Sequence, residues 1–163
     1  NPRNIAPQEM CAVSFQHGHT SVAHTVMVNL LILGHSCGVE NEFNSQRDLI
    51  HISRLTVART QAQKDPPIVV LHEDHIPYYQ RVLEQTQQIL RDAPATLSER
   101  GQLESRNLLF PAAKGSMMMI TASLRNLQKL MPGMTDMGKE EEYKRILGKM
   151  KQVLGGVWRE LFA

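Results

Sequence analysis

The residues best suited to chemistry gather first in "SFQHGHTSVAH", residues 14–24, where His17, His19 and His24 stand with Thr20 and Ser21 around Gly18. Imidazole is the commonest nitrogen ligand of metal ions, and an i, i+2 spacing on a strand would turn His17 and His19 to one side. No cysteine pair or carboxylate triad lies nearby to complete such a site. Hydrogen bonding to a polar ligand or within a loop is therefore the stronger reading, and no metal is expected. Thr20 and Ser21 can cap a helix or hold a turn, and their hydroxyls can equally bond a phosphate or a ring system. Neither GxGxxG nor GxxxxGK[ST] occurs, so the two phosphate-cradling loops with strong signatures are absent.

The arginines offer a second kind of chemistry. Arg47, Arg54 and Arg59 recur along one predicted helix, and Arg106 and Arg125 each sit beside an element boundary. A planar guanidinium there can clamp a phosphate through two parallel bonds, although solvated arginines on a helix face are the ordinary case. Cys11 and Cys37 have no base at a fixed spacing to make either a nucleophile, and no CxxC pairs them. They read as reduced thiols. With no basic-then-apolar leader at the start, a cytoplasmic protein is expected. The opening "NPRNIAPQEM", with Asn rather than Met first, is expected to be preceded by further residues.

These residues need elements to position them. The chain has 163 residues and a formal charge of +2 spread along its length, which points to one domain over 1–163 and gives no footprint for nucleic acid or a membrane surface. Its longest apolar run is far short of the roughly 20 residues that a spanning helix needs. Residues 8–14 are too mixed to assign. Residues 20–33 pass from small polar residues into "VMVNLLIL" and predict a buried strand closed by Gly34. "GHSCGVENEFN" has the composition of a loop. "SQRDLIHISRLTVARTQ" places Leu49, Ile52, Leu55 and Ala58 at helical spacing until "KDPP" ends it.

Further along, "IVVLHEDH" reads as an extended segment, and Pro77 suits the first turn of a helix capped near Asp74 or His75. That helix, "YYQRVLEQTQQILRDA", puts Tyr79, Val82, Leu83, Thr86, Ile89 and Leu90 on one face. "ERGQLESRNLLF" after Ser98 predicts a short helix ending at Pro111. Residues 117–121 predict a strand that meets a helix at Ala122 and Ser123, with Met117, Met118 and Met119 as core filler. A final amphipathic helix carries Tyr143, Ile146, Leu147, Met150, Val153, Leu154, Val157, Trp158 and Leu161 on an apolar stripe after a solvated "EEEYK", and Gly155 with Gly156 should kink or weaken it. The sum is an α/β (α+β) domain with more helix than sheet.

In this order the segments resemble the flavin-dependent thymidylate synthases. That family shows Gly-His-Thr-Ser-Val-Leu-Glu-His before a strand, and residues 18–22 with His24 match it with one residue, the Glu, deleted. Its Ala-Arg-x-x-Leu-Pro is similar to Ser105, Arg106, Leu109 and Pro111, and its Asn-x-Arg-x-Leu to Ser123, Arg125 and Leu127. The signature Arg-His-Arg, seven residues, then Ser-x-Arg-Tyr falls on His51, Ile52 and Ser53 and on residues 61–64, where only the general polarity is kept. A further arginine of the family, about nine residues after its Asn-x-Arg, is replaced by "MPGM".

The resemblance implies a small, mostly antiparallel sheet flanked by helices, in the manner of the thymidylate synthase-complementing proteins. It implies a homotetramer with FAD across subunit interfaces, a nucleotide such as dUMP beside the flavin, methylenetetrahydrofolate as carbon donor and NADPH as reductant. His19, Thr20, Ser21, His24, His51, Arg54 and Arg125 would contact FAD, and Arg106 and Arg125 would hold the nucleotide. A non-catalytic nucleotide-binding or scaffold relative on the same fold is the alternative.

Overall fold

The computed structural model describes residues 7–54, 69–92 and 115–162. Helix α1 (Pro7–Gln16) covers the stretch that the sequence leaves unassigned. It stops at Gly18, whose φ of 76° is the left-handed conformation that only glycine adopts without steric cost. A 3-10 turn (Thr20–His24) follows, then strand β1 (Met27–Ser36), helix α2 (Glu40–Asn44) and strand β2 (His51–Arg54). A second 3-10 turn (Glu73–His75) runs into helix α3 (Ile76–Arg91), with His75 at the cap and Pro77 in the first turn. Strand β3 (Gly115–Ser123) leads directly into helix α4 (Leu124–Leu130), a third 3-10 turn (Met131–Met134), helix α5 (Glu141–Val157) and helix α6 (Arg159–Phe162).

The three strands form one small antiparallel sheet in the order β1-β3-β2, with helices around it, as the sequence pattern and the family resemblance lead one to expect. By packing, the chain divides into two compact units assembled from separated segments. One holds Asn1–Leu31, Glu42–Ser53 and Met119–Ala163; the other holds Ile32–Asn41 and Arg54–Met118.

In the first unit Ile120, Ala122, Leu124 and Leu127 are buried with Phe43, Tyr143, Leu147, Met150 and Leu154. The Phe43 and Tyr143 rings lie 4.7 Å apart at 60°, a tilted arrangement that suits their quadrupoles. Burial raises the Tyr143 phenol, an effect that the nearby Lys139 charge opposes. Gly133 lets the third 3-10 turn sit against this ring, since a Cβ there would come within 3.0 Å of Tyr143 Cε1. Ser123 ends β3 and accepts a bond from the Asn126 amide at 3.2 Å, capping α4. In the second unit Val39 and Met118 are buried, and α3 turns Tyr79, Leu83, Thr86 and Leu90 inward while Ile89 is exposed.

Four expectations change. The described part of the predicted helix, residues 45–54, is not helical: β2 occupies His51–Arg54, because pairing to β3 outweighs an apolar spacing that Leu49 and Ile52 alone leave ambiguous, and residues 55–61 lie outside the described residues. Arg47 and Arg54 therefore share no helix, and Arg59 lies outside the described residues, as does the short helix predicted after Ser98. β1 is not buried on both faces. Among the described residues it is an edge strand that leaves Met27, Leu31 and Leu33 exposed, and it continues through Gly34 to Ser36. The "loop" after Gly34 contains α2. Finally, α5 passes through Gly155 and Gly156 to Val157.

Leu147 is fully buried on α5, whereas Val153 on the same helix is 62% exposed. Leu147→Ala should cost about 2–5 kcal/mol of stability through lost burial and a residual cavity, and Val153→Ala about 0.5 kcal/mol or less, both read from urea unfolding.

Candidate functional site

The histidine-rich segment does not form a strand. His17 follows α1, His19 precedes the turn Thr20–His24, and the backbone closes through bonds from His19 N to the Ser14 carbonyl at 2.8 Å and from Thr25 N to the Val22 carbonyl at 3.0 Å. Ala23 is the turn's buried residue, while His17, His19, Ser21 and His24 are exposed. Thr20 opens the turn. The i, i+2 geometry proposed for a metal is therefore not built, and among the described residues no three His, Cys, Asp or Glu side chains come together to hold an ion.

Helix α4 packs on this turn, and the Leu124 amide donates to the Val26 carbonyl at 3.0 Å immediately after it. Arg125 stands in the first turn of α4, half-buried, and its Nη1 donates to Gln128 Oε1 at 2.6 Å. Gln128 in turn donates from Nε2 to the Leu161 carbonyl at 3.1 Å, so Arg125 is steadied by a side chain that is itself anchored. The fold thus brings the helix that carries Arg125 against the turn of Ser21 and His24, segments far apart in the chain. Because Asn126 Nδ2 donates to the Leu49 carbonyl at 2.8 Å, α4 is also tied to the residues just before β2. On β2 the exposed His51 lies with Nε2 3.4 Å from Ser53 Oγ.

A second polar cluster, in the other unit, gathers around Glu40 at the start of α2. Glu40 is 6% exposed, and three groups converge on its carboxylate. Ser116 Oγ donates to Oε1 at 2.8 Å, His35 Nε2 lies 3.1 Å from the same oxygen, and Arg54 Nε lies 3.2 Å from Oε2. Burial works to raise the Glu40 carboxyl, but the bonds from His35 and Ser116 and the Arg54 charge outweigh it and hold the group below its ordinary value. An ionised carboxylate only accepts, so His35 Nε2 carries the proton in that bond. His35 Nδ1 is buried and has no partner among the described residues.

Of the residues singled out in the sequence, Ser21 and His24 lie on the turn against which α4, the helix of Arg125, packs, and Arg54 pairs with Glu40. Arg106 lies outside the described residues. Sequence reasoning missed His35, Glu40 and Ser116. No local period marks them, because His35 ends a strand, Glu40 begins a helix, and Ser116 is 76 residues further on. Neither Cys11 nor Cys37 forms a disulfide among the described residues, and no described helix is long and apolar enough to cross a membrane.

Because Glu40 titrates below 4.5 in the folded chain, its ionised form contributes stability that is complete above that value and lost as the pH falls through the lower folded value. Urea unfolding across acid pH should show wild-type stability falling in this range, and Glu40→Gln should flatten that part of the profile.

No protein-family model matches the chain, and no curated protein matches it in sequence. Solved structures are similar to it in fold. A thymidylate synthase X from Helicobacter pylori, crystallised with FAD and dUMP, superimposes with a TM-score of 0.70 at 15% identity, over 99% of this chain and 84% of that one. A second structure of the flavin-dependent enzyme from the same organism, also with FAD and dUMP, gives a TM-score of 0.68 at 15% identity, over 95% and 81% of the two chains. The fold of this chain is that of thymidylate synthase X.

Proposed function

We propose that this chain binds FAD and a pyrimidine nucleotide of the dUMP kind, as a divergent flavin-dependent thymidylate synthase-like protein. The observation that carries the reading is the fold likeness over 99% of the chain to a protein crystallised with both ligands. The residues present suit such ligands. His19, Ser21 and His24 are exposed and have no side-chain bond among the described residues, so their donors and acceptors are available. Among the described residues Arg125 spends only Nη1, on Gln128, which leaves most of its fork for a phosphate.

FAD supplies the redox chemistry of such a site when bound, and the chain's own residues bind and orient. His19, Thr20, Ser21, His24, His51, Arg54 and Arg125 line the cofactor; Arg106 and Arg125 hold the nucleotide phosphate. Methyl transfer would draw on methylenetetrahydrofolate and NADPH. Met27, Leu31 and Leu33, exposed on the edge strand, support assembly into a homotetramer, which we place in the cytoplasm. The second reading, binding without turnover, is favoured by His51, Ile52 and Ser53 standing where the family has Arg-His-Arg.

Purified protein mixed with FAD should show the flavin absorbance bands after desalting, and Arg125→Ala should weaken nucleotide or flavin binding about tenfold or more, the worth of a lost charged hydrogen bond. Protein that stays colourless sinks the proposal. Formation of dTMP from dUMP with folate and NADPH present separates the enzyme from the non-catalytic relative.

A further inference from the structure

Arg54 is held in an unusual way for a structural ion pair. Glu40 takes it through Nε alone, at 3.2 Å, and neither Nη has a partner among the described residues. A pair serving stability alone would be expected to use the fork, which matches a carboxylate with two parallel bonds. Four of the five guanidinium donors are therefore unspent on described residues, on a side chain that is 36% exposed. The carboxylate, by contrast, is fully engaged: its side chain is 8% exposed, and Ser116 and His35 fix Oε1 while Arg54 takes Oε2. Both carboxylate oxygens have partners, and the arginine whose inner nitrogen lies beside Oε2 keeps its Nη edge free of partners among the described residues.

We infer that Glu40, braced by His35 and Ser116, is a positioning residue that holds Arg54 with its Nη edge presented to a phosphate oxyanion. The phosphate comes from the dinucleotide cofactor or from the nucleotide, and the inference rests on the proposed function for that source. The charge balance fits such a role. Glu40 neutralises Arg54 before a ligand arrives, so the arginine is kept in one orientation by a partner that does not compete for the Nη groups. Preorganisation of this kind raises affinity by removing the ordering cost of a long side chain.

The experiment uses the full chain and calorimetric titration with inorganic pyrophosphate, with FAD and dUMP titrated in parallel as the two sources. Wild-type protein should bind pyrophosphate. Arg54→Lys keeps the charge but not the fork and should lose about tenfold in affinity, with a melting temperature within a few degrees of wild type. Glu40→Gln should lose a similar factor, and the double variant no more than either single one, since each change removes the same oriented group. Glu40→Asp keeps the charge but withdraws it by one methylene; it should show a smaller loss and carries the test if Glu40→Gln does not fold.

Wild-type protein that ignores pyrophosphate, a folded Glu40 variant that binds it as wild type does, or losses that add in the double variant would overturn the inference. A matching loss with FAD assigns the phosphate to the dinucleotide, and one with dUMP assigns it to the nucleotide; both support the role. FAD and dUMP that are both taken up with no dependence on Arg54 or Glu40 defeat this inference and leave the flavin reading standing. Pyrophosphate held through Arg54 without uptake of FAD or dUMP does the reverse.

Discussion

Strand β3 is the constraint on which the other elements depend. It is the inner strand of a sheet of three, so its backbone donors and acceptors are shared with β1 on one edge and β2 on the other. Thr121 Oγ1 donates to Asn29 Oδ1 at 2.6 Å, and the Leu124 amide reaches the Val26 carbonyl at 3.0 Å, which sets the β1 register. A slip of one residue would exchange the buried Ile120 and Ala122 for Met119 and Thr121 and expose the core face. The strand also serves as a carrier: Ser116 near its start reaches Glu40, and Ser123 at its end caps the helix of Arg125.

Burying a carboxylate is costly unless its oxygens are filled, and Glu40 meets that condition with a hydroxyl, an imidazole and a guanidinium drawn from three separate stretches of chain. Arg54 at the end of β2 gains a fixed partner, and the turn from β1 to α2 gains a polar centre. In the other unit, Lys139 and Glu42 pair at 2.8 Å beside the Tyr143 ring, but there the charges lie nearer the surface and the aromatic packing dominates.

Much of the fold was legible in the chain. Pro77 and the spacing of Tyr79, Leu83, Thr86 and Leu90 mark α3, and Ser123 marks the passage from β3 to α4, because both signals are local: a fixed φ, a cap, a period. The segment around Ile52 was not, since two apolar positions three residues apart fit a helix face as well as a strand, and a partner strand 60 or more residues away decides between them. The candidate site divides the same way. The donors of "HGHTS" and Arg125 could be named from residue types alone. Glu40 and His35 could not, because their chemistry comes from convergence and not from spacing.

The sequence by itself determined the inventory and the local turns: which groups can donate, accept or carry charge, where glycine permits a reversal at Gly18, and where Ser123 starts a helix. Only the tertiary structure decided that β1 would be an edge with an open apolar face, that residues 51–54 would pair as a strand, and that one buried carboxylate would collect His35, Ser116 and Arg54. The physical reason is range. Propensities and caps act over a few neighbouring residues, whereas strand pairing and the filling of a buried charge depend on groups that meet only once the chain has closed upon itself.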